Sequence, residues 1–504
     1  MTQNFTQQSN STGLSLAREE SLGALPGVPV WEQREPNSYK DFGQSLSSKA
    51  RSPINASRQL QKGVVVDRDA SGGWQEDLTY PALNNIVEAF MFAAFRTKGD
   101  VAVTGVTAAG GYAVAAGGDY FKTGNILAGV GFDKAANNGP RVLAADGGAA
   151  LIAAPGAVDD ASVGGYVTKV GHRFAAGDLS LVENGGLFEL HSAAGALGAL
   201  DVIPGEHVYI GGDNNDGFAN GAGGFCRVAS VSADGKVATL DKVQHAETSD
   251  GTGRSVSVYV GRVVKNESDP DLIRRYSFHM ERLLGKDDDT ALHQQAEYVK
   301  GAVFDKWSMP LNTADKITMD ISMVGTQYFT QTSTEGPLAG ERPTLEDGDA
   351  FTTSNDMVYS PLNEYGVATA LYAYLTDISI SVDNNVKGNK ALGVLGSFDL
   401  TAGNFTVSAS ANAYFANVTA QEAISNNANV TFACGLVRSN KGIVFDMPLV
   451  SLGDGKAKVA ANEPITLALD LSAARGSLLS PDLDHTLMIV FYDYLPSVAH
   501  GPAQ

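Results

Sequence analysis

Asp377-Ile378-Ser379-Ile380-Ser381-Val382-Asp383-Asn384-Asn385 opens a stretch that continues to Tyr414-Phe415 and decides the reading of the chain. Ile378, Ile380 and Val382 alternate with Asp377, Ser379, Ser381 and Asp383. A period of two marks a strand with one buried and one wet face. Asp383, Asn384 and Asn385 follow with turn chemistry, because short Asx side chains bond their own backbone and tolerate left-handed dihedrals. After a short basic, glycine-bearing loop and Ala391-Leu392-Gly393, a second run sets Phe405, Val407, Ala409, Ala411 and Ala413 against Thr406, Ser408, Ser410 and Asn412.

The rest of the chain is consistent with this beginning. Its 504 residues are 43% hydrophobic and 18% charged, with 56 glycines. That composition suits many strands and turns better than a helical protein. The net charge of −20 excludes a nucleic-acid coat that grips phosphate by counterion release, though a negative wall can surround a duplex without holding it. Cys226 and Cys434 are far apart, show no metal or redox spacing, and sit in apolar alternating runs. The amino terminus lacks the basic and apolar regions of a signal peptide, and no window reaches the ~18 apolar residues of a membrane span.

Taken in order, residues 1–20 read as a disordered polar tail. Residues 21–41 read as a proline-punctuated arm whose Trp31 straps onto a neighbouring subunit or folds on its own domain. Val64–Val66 is a short strand, and Ala70-Ser71-Gly72-Gly73 reads as a hairpin connection. Pro81 suits the first turn of a helix, and Leu83, Ile86, Val87, Phe90 and Ala94 form one apolar stripe along it. Residues 98–266 are Gly/Ala-rich and contain a weak repeat, Phe121–Val142 against Val202–Val228, read as inserted small β modules. Residues 271 onward return to strands. The polar segment 331–365 is too long for a buried connection. Thr419-x-x-Glu422 signals a short helix, and four further strands end near Tyr494. The fold class is therefore mainly β: an antiparallel sandwich or barrel from 21–96 and 270–496, with one main flanking helix and a β insertion.

No catalytic or metal motif appears. The eight histidines lack metal spacing, and no nucleophile elbow or phosphate loop is present. Asp213-Asn214-Asn215-Asp216-Gly217 has its glycine one place early for a calcium loop and no closing glutamate, so it reads as a surface turn. Asp287-Asp288-Asp289 reads as a solvated loop, and Gly453-Asp454-Gly455-Lys456 as a hairpin turn.

The order of alternating strand, D-N-N turn, short loop, A-L-G and second strand resembles the tail tube proteins of long-tailed (siphovirus-type) bacteriophages. The likeness extends to Arg51–Leu60 and the helix after Pro81. The resemblance implies a β-sandwich whose subunits form hexameric rings, with hairpins of neighbours joined into one lumen barrel and rings stacked into a conduit for the genome. It implies a virion protein made in the host cytoplasm. Its partners would be copies of itself, tape-measure, tail-tip and terminator proteins, and double-stranded DNA passing without specific binding. It implies no cofactor, no catalytic residue and no membrane insertion. The assembly and fold candidates are Trp31, Pro81, Phe90, Asp383, Asn384 and Asn385, with 331–365 as the inter-ring loop. No second copy of the helix after Pro81 or of the D-N-N turn is seen in the sequence, which favours six subunits over three. A decoration protein or receptor-binding adhesin is the alternative, with a glycan-degrading enzyme behind it.

Overall fold

The computed structural model describes residues 9–500 except 53, 55–58, 60, 109–110, 152–156, 161–163, 245–247, 252, 288–290, 360–361, 368–369, 372–373 and 416–417. Most of Arg51–Leu60, and Asp288 and Asp289, lie outside the described residues. Among the described residues the chain is mainly β, its strand ladders are antiparallel, and it carries two α-helices, Tyr80–Met91 and Thr419–Ser425.

Strands from both ends of the chain build one large sheet system, and strands between Val101 and Tyr259 build a second sheet. The amphipathic strands bury their apolar rows against the first helix. Ile378, Ile380, Val382, Val407, Ala409, Ala411 and Leu469 join Leu83, Ile86, Val87 and Phe90 in one core. The helix begins as its sequence dictates: Thr79 Oγ1 accepts from Ala82 N at 3.1 Å, and Pro81 occupies the first turn, where its missing N–H costs nothing. Phe90 packs on Phe304 and Trp307, with ring centroids 4.7 and 6.0 Å away.

Several local expectations change. Gly13–Arg18 is a strand within the tail expected to be disordered. It pairs with Phe278–Leu283 and Trp31–Arg34, and Leu14, Leu16 and Ala17 are buried. The decisive partners are distant in sequence, so local polarity misleads. Ala70–Gly73 is no hairpin: it lies inside the continuous strand Gln61–Asp77, paired to Pro36–Arg51 on one side and Thr318–Gly325 on the other. Its glycines answer crowding, since a Cβ on Gly73 would sit 2.8 Å from Ile321 O. Gly453–Lys456 is likewise not a turn but a bulge within Lys441–Lys458, with Asp454 at φ 62° and Gly455 at φ 77°. The cap before Thr419–Ser425 is Val418, with no side-chain bond, so the expected capping box does not form there.

The second sheet lies against the first. Tyr209, Phe225 and Tyr259 from one pack with Val444, Val490 and Tyr492 from the other. A buried ionic cluster sits in the same seam. Arg227 donates to Asp241 at 2.8 and 3.0 Å and to Asp446 at 3.2 Å, and all three are buried. The two stretches noted as a weak repeat each contain an antiparallel hairpin, Asn125–Val130 with Gly139–Val142 and His207–Ile210 with Gly224–Val231.

Candidate functional site

The wet rows of the strands form a single polar face. Eight strands run side by side in the order Pro36–Arg51, Gln61–Asp77, Thr318–Gly325, Ala296–Asn312, Leu375–Asp383, Thr406–Tyr414, Thr466–Ala474 and Lys441–Lys458. Because side chains alternate, one cross-strand row can be followed across seven of them: Gln75, Asp320, Ser308, Ser381, Ser408, Ser472, Ser451. A parallel row runs Pro310, Ser379, Ser410, Asp470, Gly453. All these residues are partly or fully exposed.

Short serine hydroxyls make up the run Ser308, Ser381, Ser408, Ser472 and Ser451 in the first row. Acidic groups stand among them: Asp320, Asp377, Asp383 and Asp470. The neighbouring cations Lys306 and Lys40 are tied down, Lys306 to Asp383 at 3.0 Å and Lys40 to Asp320. The Asp383 carboxylate holds the Lys306 ammonium above its ordinary range. Such a surface offers a phosphate backbone little to hold.

The sequence-derived candidates divide into two groups. Phe90, Asp383, Asn384 and Asn385 come together where the helix ends. Asn384 is buried and donates from Nδ2 to Phe90 O at 3.0 Å and Phe304 O at 3.2 Å. It thereby satisfies a carbonyl that the helix terminus leaves without an intrahelical partner. Asp383 Oδ1 accepts from Asn385 N at 2.7 Å, an Asx turn, and Asn385 stands at φ 51° with Nδ2 donating to Asn404 O at 2.8 Å. Pro81 stands at the helix's other end. The D-N-N turn is thus the clamp that fixes the helix to the back of the polar face.

Trp31 belongs elsewhere. It is fully buried on its own chain, beside Tyr298 and with Nε1 donating to Ala339 O at 3.2 Å. The folded-back arm, not the strap, is what forms. The same contact ties down much of 331–365, expected to reach a neighbour. Trp31 N donates to Glu341 O, Arg342 pairs with Glu281 at 2.8 Å, and Phe351 is buried, its backbone bridging Leu78 and Ile317. Apolar burial of Phe351 and Leu338's bond to the Tyr298 hydroxyl outweigh the segment's polar composition.

The projecting element contains Val64–Val66, which the sequence reading took as a short strand and not as part of a projection. Beyond the sheet, Pro36–Arg51 and Gln61–Asp77 continue as a two-stranded ribbon. Leu46 is 53% exposed and Val64 61%, with Val65 and Val66 also exposed. From Gln44 to Val66 the sequence carries Lys49, Arg51, Arg58 and Lys62 and no carboxylate, in a chain of net charge −20. That local reversal of charge was the signal available.

Among the described residues, no group of three His, Cys, Asp or Glu side chains is placed to hold a metal. In the Asp213–Gly217 turn, Asp213 accepts from Ser497 Oγ at 2.9 Å, and Asp216 pairs with Arg173 at 2.8 Å, so both carboxylates serve protein donors. No described helix is long and apolar enough to cross a membrane.

None of the curated proteins compared matches the chain. The family model described as phage tail tube protein matches residues 9–473, which takes in the polar face, its helix and the second sheet. The chain therefore belongs to the phage tail tube protein family, a virion component of structural kind.

Proposed function

We propose that this protein self-assembles into closed rings that stack into the tail tube of a siphovirus-type phage, a conduit for genome ejection, with the eight-stranded polar face lining the channel. The observation that carries the reading is that face together with its two edges. Pro36–Arg51 pairs only with Gln61–Asp77, and Ser451–Lys458 pairs only with Thr466–Ala474, among the described residues. An edge strand offers a row of unused backbone donors and acceptors and invites another strand. Pairing of one edge with the other edge of a second copy is a head-to-tail contact that closes a ring when the rotation permits. Closure removes both edges and places the serine rows on one continuous wall.

The cationic ribbon beyond residue 44 reaches the acidic surface of the next ring in this reading, and the sheet between Val101 and Tyr259 decorates the tube's outside. Tape-measure, tail-tip and terminator proteins are the partners at the tube's interior and ends, and the chain needs no cofactor and turns over no substrate. Six subunits per ring is the count the family resemblance implies, on the footing of one sheet unit per chain. Electron microscopy of the purified protein over a concentration series tests the proposal. Stacked rings or hollow tubes are the expected outcome. Particles that stay monomeric at the highest concentration, including after mixing with tail-tip proteins as nucleus, would sink it.

A further inference from the structure

The pairing diagram of the main sheet system repeats itself. In the first part of the chain, Pro36–Arg51 pairs with Gln61–Asp77, which pairs with Thr318–Gly325, which pairs with Ala296–Asn312. In the last part, Leu375–Asp383 pairs with Thr406–Tyr414, which pairs with Thr466–Ala474, which pairs with Lys441–Lys458. The chain order is the same in both: two hairpin strands, a helix, then a long strand and its return strand.

The details repeat as well. Ala296–Asn312 and Lys441–Lys458 are strands of 17 and 18 residues. Each uses its second half on the polar face and its first half in an outer sheet. There the first pairs with Phe278–Leu283 and Gln327–Gln331, and the second pairs with Val430–Arg438 and Met488–Tyr492. Short strands that precede each unit complete the outer sheets: Gly13–Arg18 on Phe278–Leu283, and Met357–Tyr359 with Leu362–Glu364 on Val430–Arg438. Helix Tyr80–Met91 packs Phe90 on the first long strand, and Thr419–Ser425 packs Ile424 against Gly455 of the second. The insertion between helix and outer strand is present only in the first unit; in the second, five residues after Ser425 the strand Val430–Arg438 has begun.

The two units are joined on the polar face by one antiparallel seam, Lys306–Asn312 against Asp377–Asp383. The strand equivalent to Lys306–Asn312 is Ser451–Lys458, and the strand equivalent to Leu375–Asp383 is Pro36–Arg51. These are the two open edges. The seam inside the chain is therefore a template for the contact between chains.

We infer that the chain is two tube units fused in tandem, that each inter-chain seam pairs Ser451–Lys458 with Pro36–Gln44 of the next copy, and that three copies close one ring. This rests on the conduit reading above. With about 4.8 Å between strands and a tilt of roughly 40°, three copies close ~24 strands into a barrel about 48 Å across, and six would give roughly twice that. The smaller barrel holds one duplex beside its lining side chains; the larger would leave most of the channel empty.

Rotational symmetry of rings or tubes by electron cryomicroscopy, with native mass spectrometry of a single ring, tests the count. Glutaraldehyde cross-linking of the same sample, read on a denaturing gel, gives an independent count. The expected result is three-fold symmetry, a mass of three chains and a cross-linked ladder ending at three. Closed rings of six chains would overturn the inference and leave the conduit reading standing. A protein that forms no closed ring by any of the three measurements would overturn both.

Discussion

Asn384 shows how much one side chain can decide. Its amide spans a helix end and a strand, donating to Phe90 O and Phe304 O from a buried position. Asn384→Ala removes a buried donor from both carbonyls and is expected to cost about 2–3 kcal/mol, read as a lower denaturation midpoint. Asn385→Gly keeps the left-handed backbone and is expected to cost well under about 1 kcal/mol in the same assay. Glu19 decides the fate of the amino-terminal strand. Burial pushes its carboxyl up, but bonds from His279, Ser277 and the N–H groups of Gly23 and Gly301 outweigh it, and the net shift is downward. A carboxyl lowered on folding contributes stability above its unfolded value and loses it as pH falls through the folded one. Hydrogen exchange of Gly13–Arg18 should therefore quicken on acidification below the ordinary carboxylate range, and Glu19→Gln should abolish that pH dependence while loosening the strand at neutral pH.

At the scale of elements, the seam between the two sheets is the vulnerable joint. Arg227, Asp241 and Asp446 are buried there with His207 and His485. Burial lowers His207 to about 3, and His485 moves down for the same reason. A base lowered on folding binds fewer protons than the unfolded chain between the two values. Stability is then full above the ordinary histidine range and declines as pH falls from about 6.5 toward 3. Thermal unfolding across that window should show the decline, and His207→Gln should make it shallower, leaving the part due to His485. Arg227→Met leaves two buried carboxylates facing each other and is expected to cost about 3–5 kcal/mol, seen as protease cleavage between residues 98 and 266 at temperatures the parent resists.

At the scale of the whole molecule, the polar face is a surface designed by omission. Its serine rows and tied lysines predict no retardation of duplex DNA by assembled protein at about 50–200 mM salt. Placing lysine at Ser381, Ser408 and Ser472 puts three adjacent cations on one row. Tubes of that variant should still form, because the backbone pairing is unchanged, yet they should retain duplex DNA in a salt-sensitive manner. Retention by the parent tubes at the same salt would contradict the assignment of this face to the channel.

What the sequence settled by itself lies where structure follows from neighbours along the chain. The alternation at Asp377–Asp383 and Thr406–Tyr414 states which side chains face water, because strand periodicity is a local property. The helix after Pro81 follows from its proline and its stripe, and the D-N-N turn from Asx chemistry. What tertiary structure decided depends on partners hundreds of residues away. Gly72 and Gly73 look like a turn until Ile321 and Met280 crowd them inside a strand. Residues 331–356 look like a free loop until Trp31 and the core claim them. The tail before Glu19 looks disordered until Phe278–Leu283 offers an edge. The repeat of pairings is the clearest case: sequence similarity suggested a duplication inside 98–266, whereas the larger one joins units that share few residues. Strand pairing constrains backbone and alternation, not side-chain identity, so two units can keep one architecture after their sequences cease to resemble each other.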